Sequence, residues 1–270
     1  MTPTTKIGVF DSGFGGLTVL KALLEVAPNA DYLYFGDTAR LPYGSKSVET
    51  VAKYACEAAS FLEQQGAELL VIACNTATAL AFEQIRQAVS VQVVGVVEPG
   101  AQQASAASRN RKAVVIGTEA TVSSHAYRNA LAKLQVEACE KACPLLVPLV
   151  EEGWTDHGVT EQVAQIYLNE AFSNGFASAD VLLLGCTHYP LLKPVLRRVA
   201  PPNVTLVDSA ESTAHVVSKI VNGTVDKTRP ARRPASLKFF VTDSTQKFQR
   251  LGKLFLGQPM NDVTHIELKE

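Results

Sequence analysis

Two aliphatic runs in this sequence end on a thiol. Residues 67–76 read AELLVIACNT and residues 179–188 read ADVLLLGCTH, so each run delivers one cysteine, Cys74 or Cys186, followed by small polar residues. In an open parallel sheet the carboxyl ends of the strands face the ligand crevice, and a helix that starts there offers free amides to an anion. A helix N-terminus lowers a thiol pKa from about 8.5 toward neutrality, which suits a thiolate base or nucleophile. The doubled context points to one substrate held between two thiols. Cys56, Cys139 and Cys143 lie on helical or pre-strand positions without such a turn and read as structural.

Other titratable residues stand near the same turns. His188, two residues after Cys186, reads either as a hydrogen-bonded histidine that orients its loop or as a proton-relay partner of Cys186. Asp11 opens the loop DSGFGG and places a carboxylate at the crevice, where it would repel a phosphate but suit an ammonium group or the steering of a proton. Glu152 is either a cap near the next helix or a third acid of the crevice, and Asp37 ends the second strand.

Spacing tests other chemistries. A phosphate-binding thiol loop would need Arg six residues after the cysteine, where Leu80 and Leu192 stand. A zinc site would want Cys-x-x-Cys pairs or clustered His; Cys139 and Cys143 are separated by three residues in a stretch read as helical, with no His nearby, so no metal is expected. DSGFGG departs from the dinucleotide fingerprint at Thr18, where a third Gly would be required, although Asp37 could serve as its ribose acid. A net charge of -1 gives no reason to expect nucleic acid or an anionic membrane as partner.

The elements that must carry these residues alternate. Strands are expected at 6–10, 31–37, 69–74 and in VQVVGVV ending at Glu98-Pro99-Gly100, with helices from Leu17, after the N-cap candidate Ser47, and over 77–88. The pattern then starts again. Strands are expected at 112–118, in CPLLVPLVEEG ending at Glu152, before Cys186 and in VTLVDS ending at Asp208, with helices between them. Matching strand ends (11 with 118, 43 with 152, 98 with 208, 74 with 186) gives offsets of 107 to 112 residues, which suggests a duplicated unit. The expected fold is therefore α/β, with two similar doubly wound domains related by pseudo-two-fold symmetry and a site in the cleft between them. The first domain would comprise 1–97 and 209–270, the second 98–208.

The segment NGTVDKTRPARRPAS (222–236) reads as an exposed linker, and LKFFVTDSTQKFQRLGKLFLG as a strand and a helix capped by Asp243 or Ser244 that return to an earlier domain. Hydrophobic content of 47% with 19% charged residues is ordinary for a globular chain. The amino terminus, MTPTTKIGVF, has no charged n-region and apolar h-region, and no apolar run approaches the roughly 20 residues that span a bilayer. Five cysteines without framework spacing fit a reducing compartment, so a cytoplasmic location is expected.

IGVFDSGFGGLTVL, YFGDTARLPYGSKS, VIACNTATALA, VGVVEPG, VIGTEATV and LGCTHYPLL, occurring in order between about residues 7 and 211, together resemble the cofactor-independent glutamate racemases. The resemblance implies interconversion of L- and D-glutamate, supplying D-glutamate for peptidoglycan, without pyridoxal phosphate or metal. It implies that Cys74 is the base toward D-glutamate and Cys186 toward L-glutamate. Asp11 and His188 would assist the thiols, with Glu152 and Asp37 as further candidates. It also implies a substrate site lined by Asp11, Ser12, Pro42, Tyr43, Gly44, Asn75, Thr76, Thr118, Thr121, Thr187 and His188, in a homodimer. Racemisation of another acidic amino acid such as aspartate, and non-catalytic binding of a small molecule, are the alternatives.

Overall fold

The computed structural model describes residues 5–224 and 235–268. Most of the linker expected at 222–236 therefore lies outside the described residues.

Ten strands form two sheets. β1 (Lys6–Asp11), β2 (Asp31–Gly36), β3 (Leu69–Ile72), β4 (Gln92–Gly95), β9 (Leu237–Val241) and β10 (Val263–His265) make a six-stranded sheet ordered β10-β9-β2-β1-β3-β4. β5 (Lys112–Gly117), β6 (Glu137–Ala142), β7 (Val181–Gly185) and β8 (Thr205–Asp208) make a four-stranded sheet ordered β6-β5-β7-β8. Every pairing is parallel. The order β2-β1-β3-β4 recurs as β6-β5-β7-β8, so the duplication expected from the offsets appears as topology. The strand that ends before Cys74 and the strand that ends before Cys186 occupy the same place in the two sheets, next to the first strand of each.

Parallel strands covered by helices on both faces read as continuous aliphatic runs, because neither face meets water. Leu69, Leu70, Val71 and Ile72 are all buried, as are Val181, Leu182, Leu183 and Leu184. The helix Val48–Gln64 starts where Ser47 accepts the Thr50 N–H and ends before Gly66, whose φ of +91° a side chain would resist. The carboxyl-terminal segment returns to the first sheet: β9 pairs with β2, and Ser244 caps the helix Thr245–Leu256 by accepting from Lys247 N. The last strand, β10, extends that edge.

Four expectations are corrected. CPLLVPLVEEG is not a strand: the strand precedes it as β6, and Leu146–Glu151 is a helix whose buried residues Leu146 and Val150 fall one turn apart. Cys139 accordingly lies in a strand, not in a helix, with Cys143 just beyond its end. Glu98-Pro99-Gly100 does not end a strand but opens the helix Val97–Ala107, where Pro stands in the first turn and needs no N–H partner. The helix expected across ATVSSHAYRNALAKL is broken into Glu119–Ser123 and Ala126–Lys133 by His125, at φ 56°.

Candidate active site

The end of β3 supplies the first thiol. Cys74 is the N-cap of the helix Asn75–Ala88, and its sulfur accepts the Ala77 N–H at 3.4 Å and donates to Ser12 Oγ at 3.4 Å. Behind it, at the end of β1, Asp11 is buried; Oδ2 accepts the Gly13 N–H at 2.9 Å, while Oδ1 has no hydrogen-bond partner. Burial raises the Asp11 carboxyl above its usual range, opposed by the charge of His188 and by the amides of Gly16, Gly13 and Ser12. Burial also pushes the Cys74 thiol up to about 12, reinforced by the Asp11 charge and opposed by hydrogen bonds from Ser12 and Ala77. The helix end alone therefore does not bring this thiol toward neutrality. Desolvation beside an acid outweighs it.

The end of β7 supplies the second thiol in different company. Cys186 is buried, with its sulfur 3.8 Å from His188 Nδ1, and His188 Nε2 lies 3.0 Å from Glu151 Oε1. Burial opposes a charge on His188, yet the hydrogen bonds to Cys186 and Glu151 outweigh it and push the imidazole up to about 10. At neutral pH it is a cation that donates from both nitrogens. The Phe255 ring meets His188 edge to face at 5.1 Å, so the carboxyl-terminal helix packs against this half of the site. Thr18 Oγ1 donates to Thr187 O at 3.0 Å, tying the Cys186 turn to the helix after the DSGFGG loop. Gly15 makes that approach feasible: a Cβ there would collide with Thr187 Oγ1 and His188 Nδ1.

Both thiols open on one cavity of about 310 Å³. Of the residues expected from the sequence, Ser12, Pro42, Tyr43, Gly44, Cys74, Asn75, Thr76, Thr118, Cys186, Thr187 and His188 line it. Asp11 and Thr121 stand behind the lining. Thr121 completes a triangle of hydroxyls, with Thr76 to Thr118 at 2.9 Å, Thr76 to Thr121 at 3.2 Å and Thr118 to Thr121 at 2.9 Å. Asp37 is buried beneath the cavity wall, accepting from Tyr43 at 2.6 Å and from Thr242 at 2.8 Å. Glu152 is not brought to the site; it is exposed at the end of the helix Leu146–Glu151, and its neighbour Glu151 lines the cavity instead. Glu119, Phe14, Leu41, Val147 and Pro148 also line it without having been singled out. A helical reading of LVPLVE would have separated Glu151 from Glu152, because adjacent helical positions point about 100° apart.

All five cysteines are free thiols. Among the described residues no group of three or more His, Cys, Asp or Glu side chains could share a metal ion, and no helix is long and apolar enough to cross a membrane.

The family model for Asp/Glu/hydantoin racemases matches residues 7–217, a stretch that contains both thiol turns and the Asp11 loop. The chain belongs to that family. It is 57% identical over 282 residues to a glutamate racemase of Koribacter versatilis, covering 97% of each chain. Among solved structures it resembles a glutamate racemase isoform from Bacillus anthracis at 35% identity and TM-score 0.90, covering 98% of each. The Francisella tularensis glutamate racemase, solved in complex with D-glutamate, matches at 34% identity and TM-score 0.88, again covering 98% of each. These family members share the two-unit α/β architecture described above.

Proposed function

We propose that this chain is a glutamate racemase that interconverts L- and D-glutamate by proton transfer between two cysteines. The single observation that carries the reading is the pair of buried thiols, each at the end of a corresponding strand of the two sheets, opening on one cavity. Mere binding would not require them. The thiolate of one cysteine takes the Cα proton and becomes a thiol; the other thiol gives its proton to the opposite face of Cα and becomes a thiolate. Cys74 acts as base on D-glutamate and Cys186 on L-glutamate.

The Cα proton of an amino acid is a very weak acid, so the charge that develops must meet donors already in place. The N-terminal amides of the helix Asn75–Ala88 supply them for a carboxylate. Asp11 attracts a proton at the Cys74 half, and the His188 imidazolium, oriented by Glu151, donates at the Cys186 half. In this scheme the two cysteines carry both proton transfers, and no pyridoxal phosphate or metal takes part.

The same reading gives the enzyme the task of supplying D-glutamate for peptidoglycan, in the cytoplasm, where free thiols are maintained. It divides the chain into a first unit of 1–97 with 209–270 and a second of 98–208, and it makes the enzyme a homodimer, which analytical ultracentrifugation would test. Chiral chromatography of L-glutamate and of L-aspartate after incubation with the protein tests the substrate. Conversion of glutamate but not aspartate is expected; conversion of aspartate alone would transfer the activity to the smaller acid.

A further inference from the structure

Asn75 is the first residue of the helix that follows Cys74, and it lines the cavity. Its side-chain amide is gripped from behind. Tyr127 O–H donates to Asn75 Oδ1 at 2.6 Å, and Asn75 Nδ2 donates to Ser209 Oγ at 3.3 Å. The Asn75 amide thus bridges the two hydroxyl side chains. All three are buried, and they come from the helices Asn75–Ala88, Ala126–Lys133 and Ser209–Thr224. The bridge therefore spans elements attached to both sheets.

From this geometry we infer that Tyr127 and Ser209 are positioning residues that hold the Asn75 amide in place at the cavity wall, where it is available to a substrate carboxylate. The inference rests on the proposed racemase reading of the same site. Its physical content lies in the torsional freedom of the amide. An Asn side chain turns about two bonds, and a hydrogen bond to a buried hydroxyl at each end of the amide holds both turns before a substrate arrives. Without the phenol O–H one end is released, and the cost of ordering the amide falls on substrate binding.

Tyr127 is packed as well as bonded. Its ring lies where a Cβ on Gly100 or on Gly185 would be, so only the hydroxyl should be removed. Tyr127→Phe does so. In steady-state kinetics with D-glutamate, a roughly two- to tenfold rise in KM with a smaller change in kcat is expected, the size of one lost hydrogen bond. Ser209→Ala, which removes only the acceptor for Nδ2, should raise KM in the same direction but less. A purely structural role would give the same changes whatever stands at position 75, so the deciding measurement is a double-mutant cycle with Asn75→Ala. In the Asn75→Ala background, Tyr127→Phe should leave KM unchanged. An unchanged KM for Tyr127→Phe in the otherwise native protein, or an equal KM rise in both backgrounds, would overturn the inference while leaving the racemase reading intact. No turnover of glutamate by the unsubstituted protein would overturn both.

Discussion

The two thiol half-sites are placed alike and surrounded differently. Each cysteine follows the strand adjacent to the first strand of its sheet, and each turn leads into a helical element. Around Cys74 stand a buried carboxylate with an oxygen that lacks a partner, a serine hydroxyl and the first amides of an α-helix. Around Cys186 stand a histidine held protonated by its hydrogen bonds to Cys186 and Glu151, and an aromatic edge from the carboxyl-terminal helix. Duplicated topology thus supplies the geometry of opposed bases, and the side chains around it differentiate their electrostatics. An acid at one thiol and a cation at the other suits a pair in which one member carries a proton while the other lacks it.

The comparison can be broken most directly at the sulfurs. Cys74→Ser and Cys186→Ser should each lower kcat at least about 10³-fold, within the range that positioned acid–base groups supply, while far-UV circular dichroism stays native. Near-native turnover by either variant would end the two-base scheme. Next comes the acid at the Cys74 half. Asp11→Asn should slow kcat by about 10²-fold and at the same time raise Tm by about 2–4 °C, because an unpartnered buried carboxylate is removed. A lower Tm with unchanged kcat would make Asp11 a structural residue.

A smaller effect is expected at the Cys186 half. Glu151→Gln should lower kcat/KM about tenfold, whereas Glu152→Gln, on an exposed side chain, should stay within about twofold. An alkaline limb that reports His188 is expected near pH 10, and loss of the Glu151 charge should move it to lower pH. Equal effects of the two substitutions would return the third acid to an open question.

The smallest effect concerns stability. The folded-state pKa of His188 is raised, so its stabilising contribution is fully present below its unfolded value of about 6.5 and disappears as pH rises through about 10. Tm should therefore decline across that window, and His188→Asn should flatten the decline. A slope that survives the substitution would assign it to other groups.

Much of this site was legible in the residues themselves. The strands that end at Cys74 and Cys186 are unbroken aliphatic runs because both faces of a parallel sheet are covered, and turn residues mark where they stop. The cavity residues Ser12, Pro42, Tyr43, Gly44 and Thr118 follow strands that were read correctly as strands. The errors cluster where local signals conflict. LVPLVEEG is as aliphatic as a strand, and only tertiary burial of Leu146 and Val150 on one side makes it a helix; that single misreading exchanged Glu151 for Glu152. Pro99 falls in the expected strand end Glu98-Pro99-Gly100, although the first turn of a helix tolerates it. The high pKa of Cys74 could not be read from the sequence, since it depends first on how completely the thiol is buried and then on how closely Asp11 packs once β1 and β3 pair. The Tyr127–Asn75–Ser209 bridge joins residues 52 and 134 positions apart, a separation with no local signature.

The most direct test of opposed bases is the fate of the Cα hydrogen in D2O. L-Glutamate would be incubated with the enzyme, stopped at low conversion, and the two enantiomers separated and weighed by mass spectrometry. With one thiol removing the proton and the other delivering a solvent-exchanged deuteron, the D-glutamate formed should carry deuterium at Cα while the remaining L-glutamate keeps protium. Protium retained in the D-glutamate, or deuterium entering L-glutamate as fast as product forms, would mean that a single base serves both faces and would contradict the roles assigned to Cys74 and Cys186.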